Sequence, residues 1–262
     1  MQNTVFSILC DLDDFCRENG IRYFLSGGTA LGAVRHKGFI PWDSDADLMM
    51  PRDEYERFLK LFHSKNADKY DIGSLLSDHT WPKPWARICD RHSRIRPLLY
   101  KDEPLGIHVD IFPIDGLPGS SRAKSFHYKK MRLLNIFRNS SINYGFLEEE
   151  KGKILKAVSR VFTRPLGPHF FAGKEDRLAR KYDYSTSEYV GAILAVHYWE
   201  KETIKRECFA DTVLMSFEGR EFPVMSGYDT YLRNLYGNYM EIPEDAEESA
   251  YKHLKTWEVE FL

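Results

Sequence analysis

The sequence predicts a mixed α+β fold: a small mixed sheet flanked by helices, with a helical insertion, in one domain over residues 1–262. Three features predict it. A helix-spaced stretch, a strand-like alternation, a Gly-Gly turn and a second helix-like stretch follow one another within about forty residues. Short apolar runs bounded by Pro or Gly recur down the chain, as strands do. Residues at about 122–185 are instead basic and helical in pattern, which predicts a helical lobe. With 43% of its 262 residues hydrophobic and 29% charged, the chain can bury a real core. That composition excludes disorder, coiled coil and collagen.

Val5, Ile8, Leu9, Leu12, Phe15 and Cys16 fall at helical spacing, with Asn3 or Thr4 as the expected cap and Gly20 as the stop. Ile21, Tyr23 and Leu25 alternate as a strand. Ser26-Gly27-Gly28-Thr29 then turns the chain into a short helix, Ala30 to Arg35. Asp45 to Met50 predicts a strand stopped by Pro51, and Asp53 caps an amphipathic helix from Glu54 to His63. Trp85 to Cys89 and His108 to Phe112 predict two more strands, the second ended by Pro113. In the lobe, Met131, Leu134, Ile136 and Phe137, then Ile154, Leu155, Val158 and Val161, keep a helical pattern that Pro165 and Pro168 interrupt. Ala192 to Val196 reads as a strand. Val213 to Phe217 and Glu221 to Val224 predict a hairpin around Glu218-Gly219-Arg220. Tyr228 to Tyr236 predicts a helix closed by Gly237.

Composition also narrows function. A formal charge of −2 argues against a chain whose task is gripping nucleic acid. Cys10, Cys16, Cys89 and Cys208 stand far apart with no C-x-x-C pair, which predicts reduced thiols rather than a zinc site. The opening MQNTVFSILCDLDD has no basic region and no long apolar run, so no signal peptide is expected. No stretch approaches the roughly 20 apolar residues of a membrane span. A cytoplasmic protein is expected. The lobe's Lys129, Lys130, Arg132, Arg138, Lys151 and Lys153 either form a solvated helix face or touch the inner face of a membrane.

Asp45 and Asp47 are two residues apart on a predicted strand, so both side chains point to one face. Side-by-side carboxylates repel, and burying them without a cation is costly. A divalent metal removes that cost, and Mg²⁺ favours carboxylate and phosphate oxygens. Gly27-Gly28 lies upstream between a strand and a helix, where backbone N–H groups suit phosphate. Asp110, in the apolar run His108-Val-Asp-Ile-Phe112, adds a third carboxylate that a neighbouring strand would bring alongside. A glycine turn, a D-x-D pair and a distant strand aspartate together resemble the polymerase-beta-like nucleotidyltransferases.

The resemblance sharpens over Leu25 to Leu48. LSGGTALGAVRHKGFIPWDSDADL closely resembles the signature of the LicD/fukutin-like phosphotransferase family. Trp85-Ala-Arg87-Ile, His108-Val-Asp110-Ile-Phe-Pro113, Phe217-Glu-Gly219, Tyr228-Asp-Thr-Tyr-Leu232, Tyr236-Gly237-Asn-Tyr239-Met240 and Pro243 follow in family order. The resemblance spans both ends and is weakest in the helical middle. There are departures. Where the family commonly reads D-D-D-I-D, this chain carries Ser44 and Ala46. Asn238 stands where the family often has Asp, and Arg87 where it often has Lys. Arg replaces a point donor with a fork.

The resemblance implies a nucleotidyltransferase-like core and transfer of a phospho-alcohol from a CDP-alcohol, CDP-choline first among them. The acceptor is a sugar hydroxyl of a surface glycan or lipid-linked glycan, of teichoic acid or lipopolysaccharide type, and CMP leaves. Carried over, Asp45 and Asp47 hold Mg²⁺ (or Mn²⁺) against the pyrophosphate. Asp110 completes the metal site or takes the acceptor's proton. Gly27, Gly28 and Thr29 cradle phosphate, and Arg35, His36 and Lys37 are its cationic partners. Arg87 also contacts substrate, and Asp43 orients the site from outside. Trp42 packs under its loop or faces a choline, for which Trp81, Trp85, Tyr198 and Trp199 are further cage candidates. His197 reads more simply as a core histidine. Two other functions fit the same residues: transfer of a nucleoside monophosphate with pyrophosphate release, and a non-catalytic glycan- or nucleotide-binding module.

Overall fold

The computed structural model describes residues 1–65, 68–97, 106–142, 161–195, 198–244 and 257–262. Helix α1, Gln2–Asn19, buries Val5, Ile8, Leu9, Leu12, Phe15 and Cys16. It starts two to three residues earlier than a cap at Asn3 or Thr4 would give: Met1 stands at the cap, with no side-chain hydrogen bond. Tertiary burial of the apolar stripe fixes this helix where local capping would have started it later. Gly20 ends it at φ 59°, the left-handed conformation that glycine adopts freely.

The remaining elements follow in chain order: β1 (Phe24–Leu25), α2 (Gly27–Arg35), β2 (Asp47–Pro51), α3 (Arg52–Lys65), β3 (Tyr70–Gly73), β4 (Ala86–Asp90), β5 (Ser93–Pro97) and β6 (His108–Leu117). Then come α4 (Ser121–Ser141), α5 (Gly167–Ala179), β7 (Tyr189–Gly191), β8 (Ile204–Lys205), β9 (Thr212–Phe217), β10 (Arg220–Met225), α6 (Tyr228–Tyr236) and β11 (Trp257–Phe261). The fold is mixed α+β. The central sheet runs β1-β2-β6-β4-β3, with β7 on the far half of β6 and β8 beyond it. Only the β2–β6 pair among these is parallel.

β6 continues past Pro113, where the sequence predicts an end. The Asp110 N–H points to β2, bonding the Ala46 carbonyl at 3.1 Å. Backbone donors alternate sides along a strand, so the nitrogen of Pro113 points the other way. On that side β4 pairs up to Ile111 and β7 starts at Asp115. The missing proline donor falls in the gap and costs no ladder bond. The strand expected at Ala192 to Val196 is displaced: β7 ends at Gly191, and Val196 and His197 lie outside the described residues.

One side of the sheet is covered by α1 and α3, whose Phe15, Phe58 and Phe62 rings contact one another. The β9–β10 hairpin and α6, both at their expected places, complete the main core with Phe217, Phe222, Val224, Leu232 and Leu235. In the lobe α4 and α5 pack together, with Phe137 against Phe171. Pro168 sits in the first turn of α5, where no intrahelical donor is needed. Ile154, Leu155 and Val158 lie outside the described residues. Buried Arg52, at the start of α3, ties lobe to sheet by bonding Asp115 of β6 at 2.5 and 2.7 Å and Asp176 of α5 at 2.9 Å. All four thiols are unpaired. Among the described residues no helix is long and apolar enough to cross a membrane.

Candidate active site

The parallel register of β2 and β6 pairs Asp47 with Asp110, and the antiparallel register of β6 and β4 pairs Asp110 with Arg87. Paired positions share a face, so three adjacent strands present Asp47, Asp110 and Arg87 in one row. Arg87 grips Asp110 with two parallel bonds, Nε to Oδ1 at 2.6 Å and Nη2 to Oδ2 at 2.8 Å. Asp43 and Asp45 lie on the loop entering β2: the strand starts at Asp47 and includes Pro51, so Asp45 is off the strand that the sequence predicts from Asp45 to Met50 and shares no strand face with Asp47. Asp45 is exposed, Asp43 is half-buried, and their carboxyl groups share a hydrogen bond.

The Gly27-Gly28 turn closes over this row. Gly27 has φ +50°, and a side-chain carbon there would meet Asp47 Oδ2 at 3.5 Å and the Tyr236 hydroxyl at 3.7 Å. At Gly28 such a carbon would stand 2.7 Å from Asp43 Oδ2, closer than real contacts allow. The backbone locks turn and strand together. Ser26 N–H bonds the Asp47 carbonyl at 2.9 Å, and the Thr29 hydroxyl accepts the Asp47 N–H at 2.9 Å. Thr29 therefore holds Asp47 in place by its side chain, leaving its backbone N–H for a ligand.

Electrostatics reflect the crowding. Burial pushes the Asp47 carboxyl well above its usual range, helped by Asp45, Asp110 and Asp43 and opposed by Arg87. Burial and the neighbouring Asp45 push Asp43 up to about 8. Burial would raise Asp110 too, but the charge and hydrogen bonds of Arg87 more than offset it and hold the carboxyl well below its usual range. An excess of carboxylate oxygen at one spot is the environment a hard divalent cation relieves. Among the described residues no three His, Cys, Asp or Glu side chains are grouped so as to hold an ion by themselves. The donor set fits Mg²⁺ of the kind that takes one or two carboxylates and fills its octahedron with phosphate oxygens and water.

Other residues singled out from the sequence stand further off. Arg35, His36 and Lys37 lie at the opposite end of α2 from Gly27, about 12 Å along the axis at 1.5 Å per residue. The Arg35 guanidinium bonds the carbonyls of Tyr239 at 2.7 Å and Glu241 at 3.1 Å. Lys37 is exposed with φ 62°. Trp42 is half-buried, edge-on to His36 at 6.3 Å. Trp81 and Trp85 are buried, and Trp81 Nε1 bonds the Trp85 carbonyl at 2.9 Å, so both pack in the fold. Trp199 stacks near Arg132 instead, at 5.2 Å. His197 lies outside the described residues.

Three tyrosines reach the site: Tyr198, which the sequence offers as a cage candidate, and Tyr231 and Tyr236, which residue chemistry does not single out. The Tyr198 hydroxyl donates to that of Tyr236 at 3.1 Å, their rings edge-to-face at 5.3 Å. The Tyr231 hydroxyl accepts the Gly27 N–H at 3.2 Å. In the sequence Tyr231 and Tyr236 show as aromatic positions of α6 and within two segments that keep family order, with no role of their own, and packing is the simpler reading.

The chain has recognisable relatives among known proteins. The family model described as LicD/FKTN/FKRP, nucleotidyltransferase domain, matches residues 20–142, from the end of α1 to the end of α4. The chain is 32% identical over 254 residues to the Haemophilus influenzae protein named lipopolysaccharide cholinephosphotransferase LicD, covering 94% of this chain and 92% of that one. A 29-residue stretch is 62% identical to the human and mouse proteins named ribitol 5-phosphate transferase FKRP, covering 11% of this chain and 6% of theirs.

Proposed function

The chain belongs to the LicD/FKTN/FKRP family, and from that premise we propose that it is a phosphotransferase acting on glycans. More narrowly, it moves phosphocholine from CDP-choline to a sugar hydroxyl of a cell-surface glycan and releases CMP. The observation that carries this reading is the row Asp47–Asp110–Arg87, with Asp43 and Asp45 beside it, facing a helix N-terminus. The relative named for lipopolysaccharide cholinephosphotransfer supports the choice of alcohol and of acceptor.

Asp45 and Asp47 would hold Mg²⁺ (or Mn²⁺). When bound, the metal supplies charge stabilisation to the pyrophosphate oxygens and the departing CMP. The N–H groups of Gly28 and Thr29 receive donor phosphate at the positive end of α2. Asp110 completes the oxygen ring or takes the proton of the incoming hydroxyl. Its pairing with Arg87 keeps it an anion before reaction, which suits the metal role; as a proton acceptor it would act as a weak base, since Arg87 holds it well below the usual carboxylate range. Thr29 fixes the Asp47 backbone, so the carboxylate does not shift as charge moves to the leaving group. Arg35, His36, Lys37 and Trp42, at the far end of α2, serve more distant parts of the two substrates, and a lipid-linked acceptor would bring the protein to the inner membrane face.

The test is incubation with Mg²⁺ and a panel of CDP-alcohols, following release of CMP with and without glycan. Metal-dependent CMP release from CDP-choline is expected. Pyrophosphate release would indicate nucleotidyl transfer instead, and no turnover with any donor would leave a binding module.

A further inference from the structure

Glu202 is 2% exposed and closes a short 3-10 turn, Trp199–Glu202, beneath the glycine turn. Its Oε2 has no hydrogen-bond partner, a costly state for a buried carboxyl oxygen. The same carboxyl interacts with the Tyr231 hydroxyl, and Tyr231 is 1% exposed. That hydroxyl also accepts the Gly27 N–H at 3.2 Å and lies 3.2 Å from Ser26 Oγ. Three groups thus meet at one phenolic oxygen: a buried acid behind it, and the cap and first residue of α2 in front. Tyr231 belongs to the Tyr228-Asp-Thr-Tyr-Leu232 segment, and neither it nor Glu202 has a part in the reaction described above.

A helix leaves its first N–H groups unsatisfied, and an incoming phosphate takes whichever of them point outward. Here the Gly27 donor is already used by Tyr231. The turn also places Gly27 at φ +50°, the left-handed region that glycine adopts freely. We propose that Tyr231 and Glu202 are a positioning pair for the donor. Tyr231 takes the Gly27 N–H and sets the angle of the turn, so that the Gly28 and Thr29 N–H groups face the phosphate. Glu202 fixes the Tyr231 hydroxyl so that a lone pair points at Gly27. The proposal rests on the phosphotransferase reading for the identity of the donor.

Tyr231→Phe removes the hydroxyl and little else. It is expected to raise the KM for CDP-choline about three- to tenfold, the value of one hydrogen bond, with kcat little changed. Hydrogen exchange at the Gly27 amide, measured without donor, should speed up by at least a similar factor. Glu202→Leu should reproduce both effects and Glu202→Gln should restore wild-type behaviour, because an amide still bonds a phenol. The Leu and Gln pair carries the test if Tyr231→Phe does not fold. A wild-type KM and wild-type Gly27 exchange in Tyr231→Phe, or equal KM values for the Leu and Gln variants, would overturn the pair. A wild-type protein that turns over no CDP-alcohol defeats the functional reading instead, and the exchange measurement still decides whether Tyr231 holds Gly27.

Discussion

Asp47 and Asp110 are direct partners across the parallel β2–β6 ladder of the central sheet, so two carboxylates stand side by side on neighbouring strands. Arg87 neutralises Asp110 and leaves Asp47 crowded by three acids. If Asp47 holds the cation, Mg²⁺ should raise the thermal midpoint of the wild-type protein, by a linkage of about 2.7 kcal/mol at a hundredfold excess over Kd. Asp47→Asn should lose both that rise and metal-dependent turnover. Thermal melts with Mg²⁺ or a chelator check this, and a variant that keeps both responses removes Asp47 from the metal site.

The Arg87–Asp110 pair gives a second prediction. Both side chains are largely buried, and removing one partner strands the other. Arg87→Met should cost about 3–5 kcal/mol in denaturant unfolding. Arg87→Lys keeps the charge but loses the two-pronged geometry, and should cost clearly less. Equal losses for Met and Lys would mean that the pair acts through packing and not through charge.

Gly28 gives a third. A methyl group there would meet Asp43 Oδ2 at 2.7 Å, and that carboxylate can swing aside. Gly28→Ala should therefore leave the melting temperature within a few degrees of wild type while lowering kcat/KM at least tenfold, since the added carbon occupies the phosphate's approach. Full activity in this variant would show that the donor does not lie against the turn.

Much of the fold was legible because its signals are local. The apolar stripe of α1, the Gly20 stop, the turn at Gly219 and all of α6 sit where periodicity and glycine place them. What the sequence hid depends on register. Nothing local says that β6 runs through Pro113, because that needs the gap between β4 and β7. The same holds at the site. The proximity of Asp45 and Asp47 follows from spacing on one chain, whereas the Arg87 clamp on Asp110 follows from a strand 23 residues away. Arg35 shows the converse: its place beside a conspicuous motif suggests phosphate, but its guanidinium turns to the carbonyls of Tyr239 and Glu241.

The buried Glu202 makes stability depend on pH in a way that a single variant isolates. A free glutamate gives up its proton near pH 4.3. Burial raises Glu202 to about 8, against a smaller opposing effect of the Tyr231 hydrogen bond. Between those values the folded chain keeps a proton that the unfolded chain has lost. The stability this group contributes is therefore complete below about pH 4.3, falls as pH rises toward 8, and levels off above it, by at most about 1.4 kcal/mol per pH unit. Glutamine cannot ionise, so Glu202→Gln escapes the loss. The melting temperature of Glu202→Gln minus that of wild type should grow from pH 5 to about pH 8 and then stay constant. The tyrosines around Glu202, Tyr128 and Tyr231, have raised values and stay neutral throughout this range, so they do not distort the difference. A difference that is flat from pH 5 to 9 would mean that Glu202 is ionised in the folded protein like any surface glutamate.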